Sequence, residues 1–485
     1  MVAEDDGLFA RIHANLRDDL GHLGARLSGL APRRRRVSLR HRCFDTPDGR
    51  VRLHLRIHED GTGLLIVNGT DALHLSPLQA DCARLVFDRI DGGGLKAASS
   101  DERALTQLRA RFGGARDFAL EAEYDRVHAA ITKLSRPSER CRVCEAEIPQ
   151  PQPLSIRAQA PLKADLALSY ACNNDCAHCY NEPERRGMPS LRTEEWREVL
   201  DRLWEIGVPY VILTGGEATL REDLPEIVRH AEDLGMICGL NTNGRRMSDP
   251  ALVDGLLDAG LDHAQITLAS HRAEVHNAIV RADAFDETVA GIRNCVERGL
   301  HTITNTTLIE ENAGEAVQIV DFLHDLGLRT FAMNGMIHSG CGAANPSALA
   351  IPRLRDVLAC VRDRAIEREM RFLWYTVTRH CELSPMAMDV GLRFCNAAEY
   401  SICVEPNGDV LPCQSYYEPA GNILRDRWSR VWESDLFKRI RLRREHPGEA
   451  GLPKECRECD GLRLCGGGCP LELDAVSCRS GAEAL

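Results

Sequence analysis

The sequence predicts an α/β protein: an open, partial barrel of six strand-helix units, with a small α+β domain before it and a cysteine-rich domain after it. Short apolar runs alternate six times with stretches of helical periodicity in the middle of the chain. Cysteines concentrate towards the carboxyl end. Six units are too few to close an eight-stranded barrel, so a partial barrel is the simpler prediction.

The middle region supplies the predicted barrel. The apolar runs that predict its strands cover residues 165–169, 210–214, 237–241, 264–268, 302–307 and 330–333. Helical periodicity between the runs is clear at residues 193–206, 224–234 and 316–326. Strands joined through helices run parallel with right-handed crossovers, so the functional groups are expected at the carboxyl ends of the strands.

The amino-terminal region predicts a hairpin followed by helices. Residues 52–58 and 63–67 alternate apolar and polar side chains across the turn Glu59-Asp60-Gly61. Helical stretches follow at residues 76–90, 101–112 and 120–134. The predicted domains are residues 1–135, a linker at 136–163, the barrel at 164–370 and the cysteine-rich domain at 371–485.

The charge and the apolar content of the sequence argue against nucleic-acid binding and membrane insertion. A net charge of -12 over 485 residues argues against a general nucleic-acid binder, which needs a basic face. No apolar signal segment opens the chain, and no stretch approaches the roughly 18 apolar residues of a membrane span. We therefore expect a soluble, cytoplasmic protein with no membrane partner. In a reducing cytoplasm its 20 cysteines favour metal ligation over disulfides.

The run Cys-Asn-Asn-Asp-Cys-Ala-His-Cys comes directly after the first predicted strand. Its cysteines, Cys172, Cys176 and Cys179, leave an iron-sulfur cube one protein ligand short. An open position in a metal site is where a substrate or cofactor binds. The alternatives are a chance group of buried thiols or a three-cysteine zinc site completed by His178.

This spacing resembles the radical S-adenosylmethionine (SAM) enzymes. The resemblance implies that Cys172, Cys176 and Cys179 hold a 4Fe-4S cluster whose free iron chelates the amino and carboxylate groups of SAM. An electron from that cluster then splits the sulfonium to give a 5′-deoxyadenosyl radical. The resemblance also implies an electron donor such as flavodoxin or ferredoxin, and a partial (β/α)6 barrel.

The second unit ends in Gly215-Gly216-Glu217, which looks like the family's Gly-Gly-Glu motif. Glycines let the backbone approach a ligand closely, and a carboxylate accepts hydrogen bonds from an ammonium. By resemblance these residues hold the methionyl amino group of SAM. The family usually continues with proline where this chain has Ala218. An ordinary strand-to-helix turn is the alternative.

Polar residues at the ends of the next strands are further cofactor-binding candidates. By resemblance Asn241, Asn243 and Ser270 contact the ribose or carboxylate of SAM, and the backbone at His178 meets the adenine. Amide and hydroxyl side chains suit those contacts. Asn243 also begins an Asn-Gly turn, a common turn without function, and His178 could be a plain surface residue.

A second cysteine pattern lies beyond the barrel. Cys395 is followed by 12 residues and Gly408-x4-Cys413, and the chain continues with Cys456-x2-Cys459-x5-Cys465-x3-Cys469 and then Cys478. These intervals match the SPASM extension of radical SAM proteins. The alternative, a zinc ribbon, would use four of the seven thiols.

By resemblance the SPASM extension holds two auxiliary 4Fe-4S clusters. The family pattern assigns Cys456, Cys459, Cys465 and Cys478 to the outer cluster. It assigns Cys395, Cys413 and Cys469 to the inner cluster, with Cys381 as the candidate fourth ligand. If Cys381 is not a ligand, the inner cluster has an open iron that could bind substrate. Sulfur-ligated clusters suit single-electron transfer.

The small sheet and helices before the barrel resemble the PqqD-like domains that bind a leader peptide by strand addition. Together these features predict an enzyme that abstracts hydrogen from a ribosomally made precursor peptide and installs a crosslink or oxidation. Alternatives are maturation of a folded protein or small molecule, and a non-catalytic iron-sulfur regulator that binds peptide. The sequence identifies no catalytic acid or base.

Overall fold

The structure is a computed structural model and describes residues 37–46, 49–69, 71–90, 102–113, 117–136, 147–151, 158–343 and 345–472. The chain divides into two compact units, Met1–Ile156 and Arg157–Leu485. The division falls inside the range predicted as a linker, residues 136–163. The ranges predicted as barrel and cysteine-rich domain share the second unit, so those domain limits stay predictions.

The first unit contains a four-stranded antiparallel sheet and three described helices. The strands, in the spatial order β1-β2-β3-β4, are β1 (Ser38–Thr46), β2 (Gly49–Ile57), β3 (Gly63–Val67) and β4 (Asp71–Leu75). The helices are α1 (Pro77–Phe87), α2 (Glu102–Arg111) and α3 (Asp117–Leu134). The structure contains the hairpin and three helices predicted from the sequence, and it adds the outer strands β1 and β4.

The core of this unit forms on one face of the sheet. Leu53 and Leu55 of β2 are fully buried in one cluster with Tyr124 and Val127 of α3. Strand residues alternate between the two faces, so the even-numbered residues of β2, from Arg50 to Arg56, lie on the other face. Helix α1 begins at a capping box in which Ser76 and Gln79 exchange hydrogen bonds. This cap fixes the start of the helix directly after β4.

The second unit is built on a ten-stranded sheet. Its strands are β5 (Lys163–Ser169), β6 (Tyr210–Gly215), β7 (Ile237–Thr242), β8 (His263–Thr267), β9 (His301–Thr307), β10 (Thr330–Asn334), β11 (Arg371–Trp374), β12 (Ser401–Val404), β13 (Asp409–Leu411) and β14 (Gly421–Asn422). Strands β5 to β10 are the six predicted ones, lie side by side in chain order and pair in parallel.

Helices lie between the parallel strands, as predicted, and four short described helices follow the last strand. They are α4 (Thr193–Ile206), α5 (Leu224–Leu234), α6 (Pro250–Ala259), α7 (Ala273–Val280), α8 (Phe285–Glu297), α9 (Glu310–Ala313), α10 (Ala316–Asp325), α11 (Ile351–Glu367), α12 (Trp428–Trp432), α13 (Asp435–Arg441), α14 (Lys454–Arg457) and α15 (Leu462–Cys465). Helix α4 buries Trp196, Val199 and Leu203 in the main core, at the spacing of an amphipathic helix.

Both edges of the six-stranded sheet are extended. Strand β11 pairs in parallel with β10. On the other side β12 pairs in parallel with β5, and β13 and β14 continue the sheet antiparallel. The cysteine-rich region is therefore continuous with the strand that precedes the Cys172 loop. None of the helices in the described ranges is long and apolar enough for a membrane crossing.

Candidate functional site

The loop that carries Cys172, Cys176 and Cys179 leaves the carboxyl end of β5. Its backbone is fixed to the end of α7, because the N–H groups of Asp175 and Ala177 donate to the carbonyls of Val280 and Ile279, at 3.0 and 2.9 Å. Asn345 Nδ2 donates to the carbonyl of Ala177 at 2.7 Å. The three thiols are thus presented from a tethered segment at the sheet edge where parallel α/β proteins bind ligands.

The three thiols interact electrostatically. The pKa of Cys179 is raised to about 11, mainly by burial and in part by Cys172. Burial also raises the pKa of Cys176, to which both other thiols contribute. The backbone N–H of Asn174 donates to Cys172 Sγ at 3.4 Å. Three close thiols are held as thiolates when a cationic centre compensates their charge, so this donor set suits an iron-sulfur cluster.

The alternative of a single zinc ion requires its ligands to lie close together. Thiolates around one zinc ion lie within about 4 Å of each other, given Zn–S bonds of about 2.3 Å. Among the described residues no three His, Cys, Asp or Glu side chains converge closely enough to hold one metal ion. The pKa of His178 is lowered to about 4 by burial, and its Nδ1 atom is buried without a hydrogen bond from the described residues.

Gly215 and Gly216 bring β6 against the start of the cysteine loop. The N–H groups of Gly216 and Glu217 donate to the carbonyls of Ser169 and Ala171, at 2.7 and 2.8 Å. A Cβ atom on Gly216 would lie 2.3 Å from the carbonyl oxygen of Ala171. Gly215 has a φ of +130°, a conformation open mainly to glycine. Both glycines are therefore required by close backbone contact.

The Glu217 carboxylate is buried, with 1% of the residue exposed, and accepts four hydrogen bonds. Thr219 donates from its N–H at 3.1 Å and from its hydroxyl at 2.5 Å. The Thr242 hydroxyl donates at 2.7 Å, and the Asn243 N–H donates to the other oxygen at 2.7 Å. The carboxylate thus joins the ends of β6 and β7 beside the cysteine loop.

The other predicted SAM contacts occupy different environments. Asn243 Nδ2 donates to Asn173 Oδ1 of the cysteine loop at 2.6 Å. Asn241 lies in β7 beside Gln265 of β8. Ser270 is fully buried, and its hydroxyl donates to the Glu315 carboxylate. Asn243 is therefore next to the cysteine loop, whereas the Ser270 hydroxyl is hydrogen-bonded to Glu315, which directly precedes α10. Their roles towards SAM stay predictions.

Two residues of this site escaped the sequence reasoning. Thr242 binds Glu217, as described above. Arg245 Nη1 donates to the Asn173 carbonyl at 2.5 Å and to Asn174 Oδ1 at 3.1 Å, which fixes the loop between Cys172 and Cys176. Both residues flank the Asn243-Gly244 turn. A turn that carries threonine, asparagine and arginine beside a cysteine loop could have been noted as a support for that loop.

Three cysteines of the carboxyl-terminal pattern, Cys395, Cys413 and Cys469, interact electrostatically. Burial raises the pKa of Cys413 to about 12, with a contribution from Cys395. Burial also raises the pKa of Cys469, with contributions from Cys395 and Cys413. The three thiols assigned by resemblance to the inner cluster therefore lie near one another. Cys381 follows His380, whose N–H donates to Cys465 Sγ at 3.4 Å.

Three of the four cysteines assigned to the outer cluster lie on two short helices and the turn between them. Cys456 of α14 and Cys465 of α15 are buried, and Cys459 is exposed. Cys478 lies outside the described residues. The assignment of individual cysteines to the two auxiliary clusters, including that of Cys381, stays a prediction.

Hydrogen bonds connect the two cysteine groups. Tyr180, which follows Cys179, donates its hydroxyl to Oε1 of Gln414, which follows Cys413, at 3.3 Å. The Tyr417 hydroxyl donates to Asn181 Oδ1 at 3.0 Å. The segment after the third loop cysteine therefore packs directly on the segment after the second cysteine of the carboxyl-terminal pattern.

Comparison with known proteins agrees with this architecture. The profile of the radical SAM superfamily matches residues 166–323, and that of the iron-sulfur cluster-binding SPASM domain matches residues 395–460. The mycofactocin maturase MftC of Mycolicibacterium smegmatis is 29% identical over 64% of this chain and 78% of its own length. The PqqA peptide cyclase of Xanthomonas campestris pv. campestris is 28% identical over 65% of this chain and 84% of its own.

Two further proteins extend the comparison. The AdoMet-dependent heme synthase of Oleidesulfovibrio alaskensis is 25% identical over 61% of this chain and 79% of its own. The crystal structure of Streptococcus suis SuiB bound to precursor peptide SuiA has a TM-score of 0.64 at 17% identity, covering 90% of this chain and 97% of SuiB. The second likeness concerns the fold.

The two matched domains define the cofactors and the class of protein. Radical SAM and SPASM domains bind 4Fe-4S clusters, and the radical SAM domain binds SAM, so these are the cofactors of the chain. The matched ranges contain the Cys172 loop and the Cys395–Cys413 pattern. The chain is an enzyme that contains a radical SAM domain and an iron-sulfur cluster-binding SPASM domain.

Proposed function

We propose that this enzyme modifies a ribosomally made precursor peptide, abstracting hydrogen to install a crosslink or an oxidation. Cys172, Cys176 and Cys179 would hold a 4Fe-4S cluster, which would supply the electron that cleaves bound SAM into methionine and a 5′-deoxyadenosyl radical. Gly215, Gly216 and Glu217 orient the methionyl group beside that loop. The peptide core reaches the carboxyl ends of the strands, where closure against water protects the reaction.

One observation carries the peptide proposal. The fold shared with SuiB, which was crystallised with its precursor peptide, covers 90% of this chain. The second unit, Arg157–Leu485, makes up a smaller share of the chain than the 90% that is covered. The similarity of fold therefore extends into the amino-terminal unit. The relatives named as a maturase and as a peptide cyclase support the same substrate class.

We place the leader peptide on β4, an outer strand of the four-stranded sheet. Gln150 already occupies that edge: its Oε1 accepts from the His74 N–H at 2.9 Å, and its Nε2 donates to the His74 carbonyl at 3.3 Å. These are the contacts that a neighbouring strand would make. A leader strand would replace Gln150 and extend along Ala72, whose backbone groups face the same way as those of His74.

Deletion tests this proposal. A protein without residues 1–135 should still cleave SAM in the absence of peptide, because the cysteine loop and the glycine motif lie outside the deleted part. It should modify a leader-bearing peptide far more slowly at low peptide concentration, since tethering no longer raises the local concentration of the core. Folding and iron content are checked first, and equal rates of peptide modification would refute the recognition role.

A point substitution sharpens the test. Ala72→Pro removes the outward N–H of β4 while leaving its pairing with β3, since proline is tolerated on an edge strand. Ala72→Ser retains that N–H and serves as the control. We expect weaker leader binding for Ala72→Pro than for Ala72→Ser, and equal binding would place the leader elsewhere.

A small-molecule substrate is the second candidate, because the heme synthase relative matches 61% of this chain. Peptide-dependent stimulation of 5′-deoxyadenosine formation, after reduction in the presence of SAM, favours the peptide over a small molecule.

We further propose a flavodoxin or ferredoxin as electron donor and the cytoplasm as location. No disulfide joins two cysteines of the described ranges, which supports a reducing compartment. The proposed electron donor is tested by reducing the purified enzyme with either protein in place of dithionite.

A further inference from the structure

Two adjacent arginines, Arg443 and Arg444, lie among the carboxyl-terminal cysteines. Arg443 is 3% exposed, and its Nη2 donates to the carbonyl of Cys395 at 3.1 Å. The guanidinium of Arg444 lies over the Phe394 ring, 5.0 Å from its centroid. Both side chains therefore contact the segment that carries the first cysteine of the SPASM pattern.

The positive charges of this pair are incompletely compensated. Within the described part of the chain, no carboxylate lies within 4.0 Å of the Arg443 guanidinium, and Glu399 is 3.4 Å from Arg444 Nη1. Arg443 Nε and Arg444 Nη2 are buried and have no hydrogen-bond partner among the described residues. A buried guanidinium keeps its charge, and burying it without an anion costs free energy. The two free N–H donors thus indicate an anionic group beside them.

The second arginine also reaches the other cysteine set. Arg444 Nη2 lies 3.0 Å from the position that a Cβ atom would take on Gly466, the residue after Cys465. Arg444 Nε donates to the Arg463 carbonyl at 3.1 Å. The pair therefore extends from Cys395 of the predicted inner set to the α15 turn of the predicted outer set.

We propose that Arg443 and Arg444 form a cationic bridge between the two auxiliary clusters and raise their reduction potentials. Reduction adds negative charge to a thiolate-ligated cluster, and a fixed neighbouring cation stabilises the reduced form more than the oxidised form. The arginines act through the clusters and are positioning residues. The inference needs the iron-sulfur cofactors and does not depend on which substrate the enzyme modifies.

Redox titration followed by electron paramagnetic resonance tests this bridge. The measurement uses the full chain in which Cys172, Cys176 and Cys179 are alanine, so that the signals come from the carboxyl-terminal clusters. Arg443→Gln and Arg444→Gln each remove one charge, and Arg443→Lys keeps it. Arg430→Gln is the control, because it changes the net charge equally at a side chain that is 81% exposed.

The bridge predicts that both glutamine variants, at unchanged iron content, titrate at a more negative potential than the parent protein. Arg443→Lys should shift less than Arg443→Gln, and Arg430→Gln should not shift. If Arg443→Gln fails to bind iron, Arg444→Gln and Arg443→Lys carry the comparison. Fully loaded Arg444→Gln with the potential of the parent, or a shift equal to that of Arg430→Gln, would overturn the proposal.

Discussion

Replacing Gly216 by alanine tests the packing of the glycine motif against the cysteine loop. The φ of Gly216 lies outside the left-handed region, so the effect is purely steric. The added Cβ would lie 2.3 Å from the carbonyl oxygen of Ala171 and 2.5 Å from that of Tyr170. Both oxygens belong to the backbone that leads into Cys172. They cannot move aside without moving the loop.

The size of the effect follows from this geometry. Forcing an extra methyl group into a packed site costs typically about 1–3 kcal/mol. If the displaced loop bears that cost, the apparent affinity for SAM falls about 5- to 150-fold. We expect reductive SAM cleavage by Gly216→Ala to need correspondingly more SAM, measured as 5′-deoxyadenosine formed at increasing SAM concentration.

Gly255→Ala is the matched control. Gly255 lies inside α6, and a Cβ atom there meets nothing within 4 Å. Alanine should stabilise that helix by about 1 kcal/mol and leave SAM cleavage unchanged. If Gly216→Ala requires no more SAM than Gly255→Ala, the glycine motif does not support the cofactor loop, and our account of the site is wrong.

Two further predictions concern the clusters and the response to pH. Anaerobically reconstituted protein should bind about three 4Fe-4S clusters and the Cys172, Cys176 and Cys179 triple alanine variant about two, by iron and sulfide analysis; zinc in place of iron would contradict both cluster assignments. Burial lowers the pKa of His263 from 6.5 to about 4, so the unfolded chain binds a proton below pH 6.5 that the folded chain does not, and stability falls as the pH decreases towards 4. His263→Gln should therefore lose less stability than the wild type between pH 7 and pH 5, by up to about 2 kcal/mol in denaturant unfolding, and an identical loss would contradict the burial argument.

The barrel strands were predictable because each is a short apolar run between turn signals. Five of the six observed strands differ from the sequence-based bounds by one residue at one or both ends, and β5 begins two residues earlier than predicted. Local composition does not predict strand β1, because its residues Ser-Leu-Arg-His-Arg-Cys-Phe-Asp-Thr show little apolar alternation. It does not predict β12 either, because this four-residue strand depends on pairing with β5, which is distant in the sequence.

The candidate site shows the same division. Cysteine spacing predicts the loop and the carboxyl-terminal set as ligands, because iron-sulfur ligation constrains spacing directly. The contact between Tyr180 and Gln414 joins residues 234 positions apart, which no local pattern encodes. Arg443 and Arg444 look like solvated charges in sequence, since arginine is mostly exposed in proteins, and their burial becomes evident in the folded chain.

The central claim is that the Cys172, Cys176 and Cys179 loop holds the cluster that cleaves SAM. The most direct test measures 5′-deoxyadenosine in anaerobic, reduced protein with SAM, for the wild type and for the variant in which all three cysteines are alanine. The claim predicts product from the wild type and none from the variant, while the variant keeps the iron bound by the carboxyl-terminal cysteines. Product from the triple variant would contradict it.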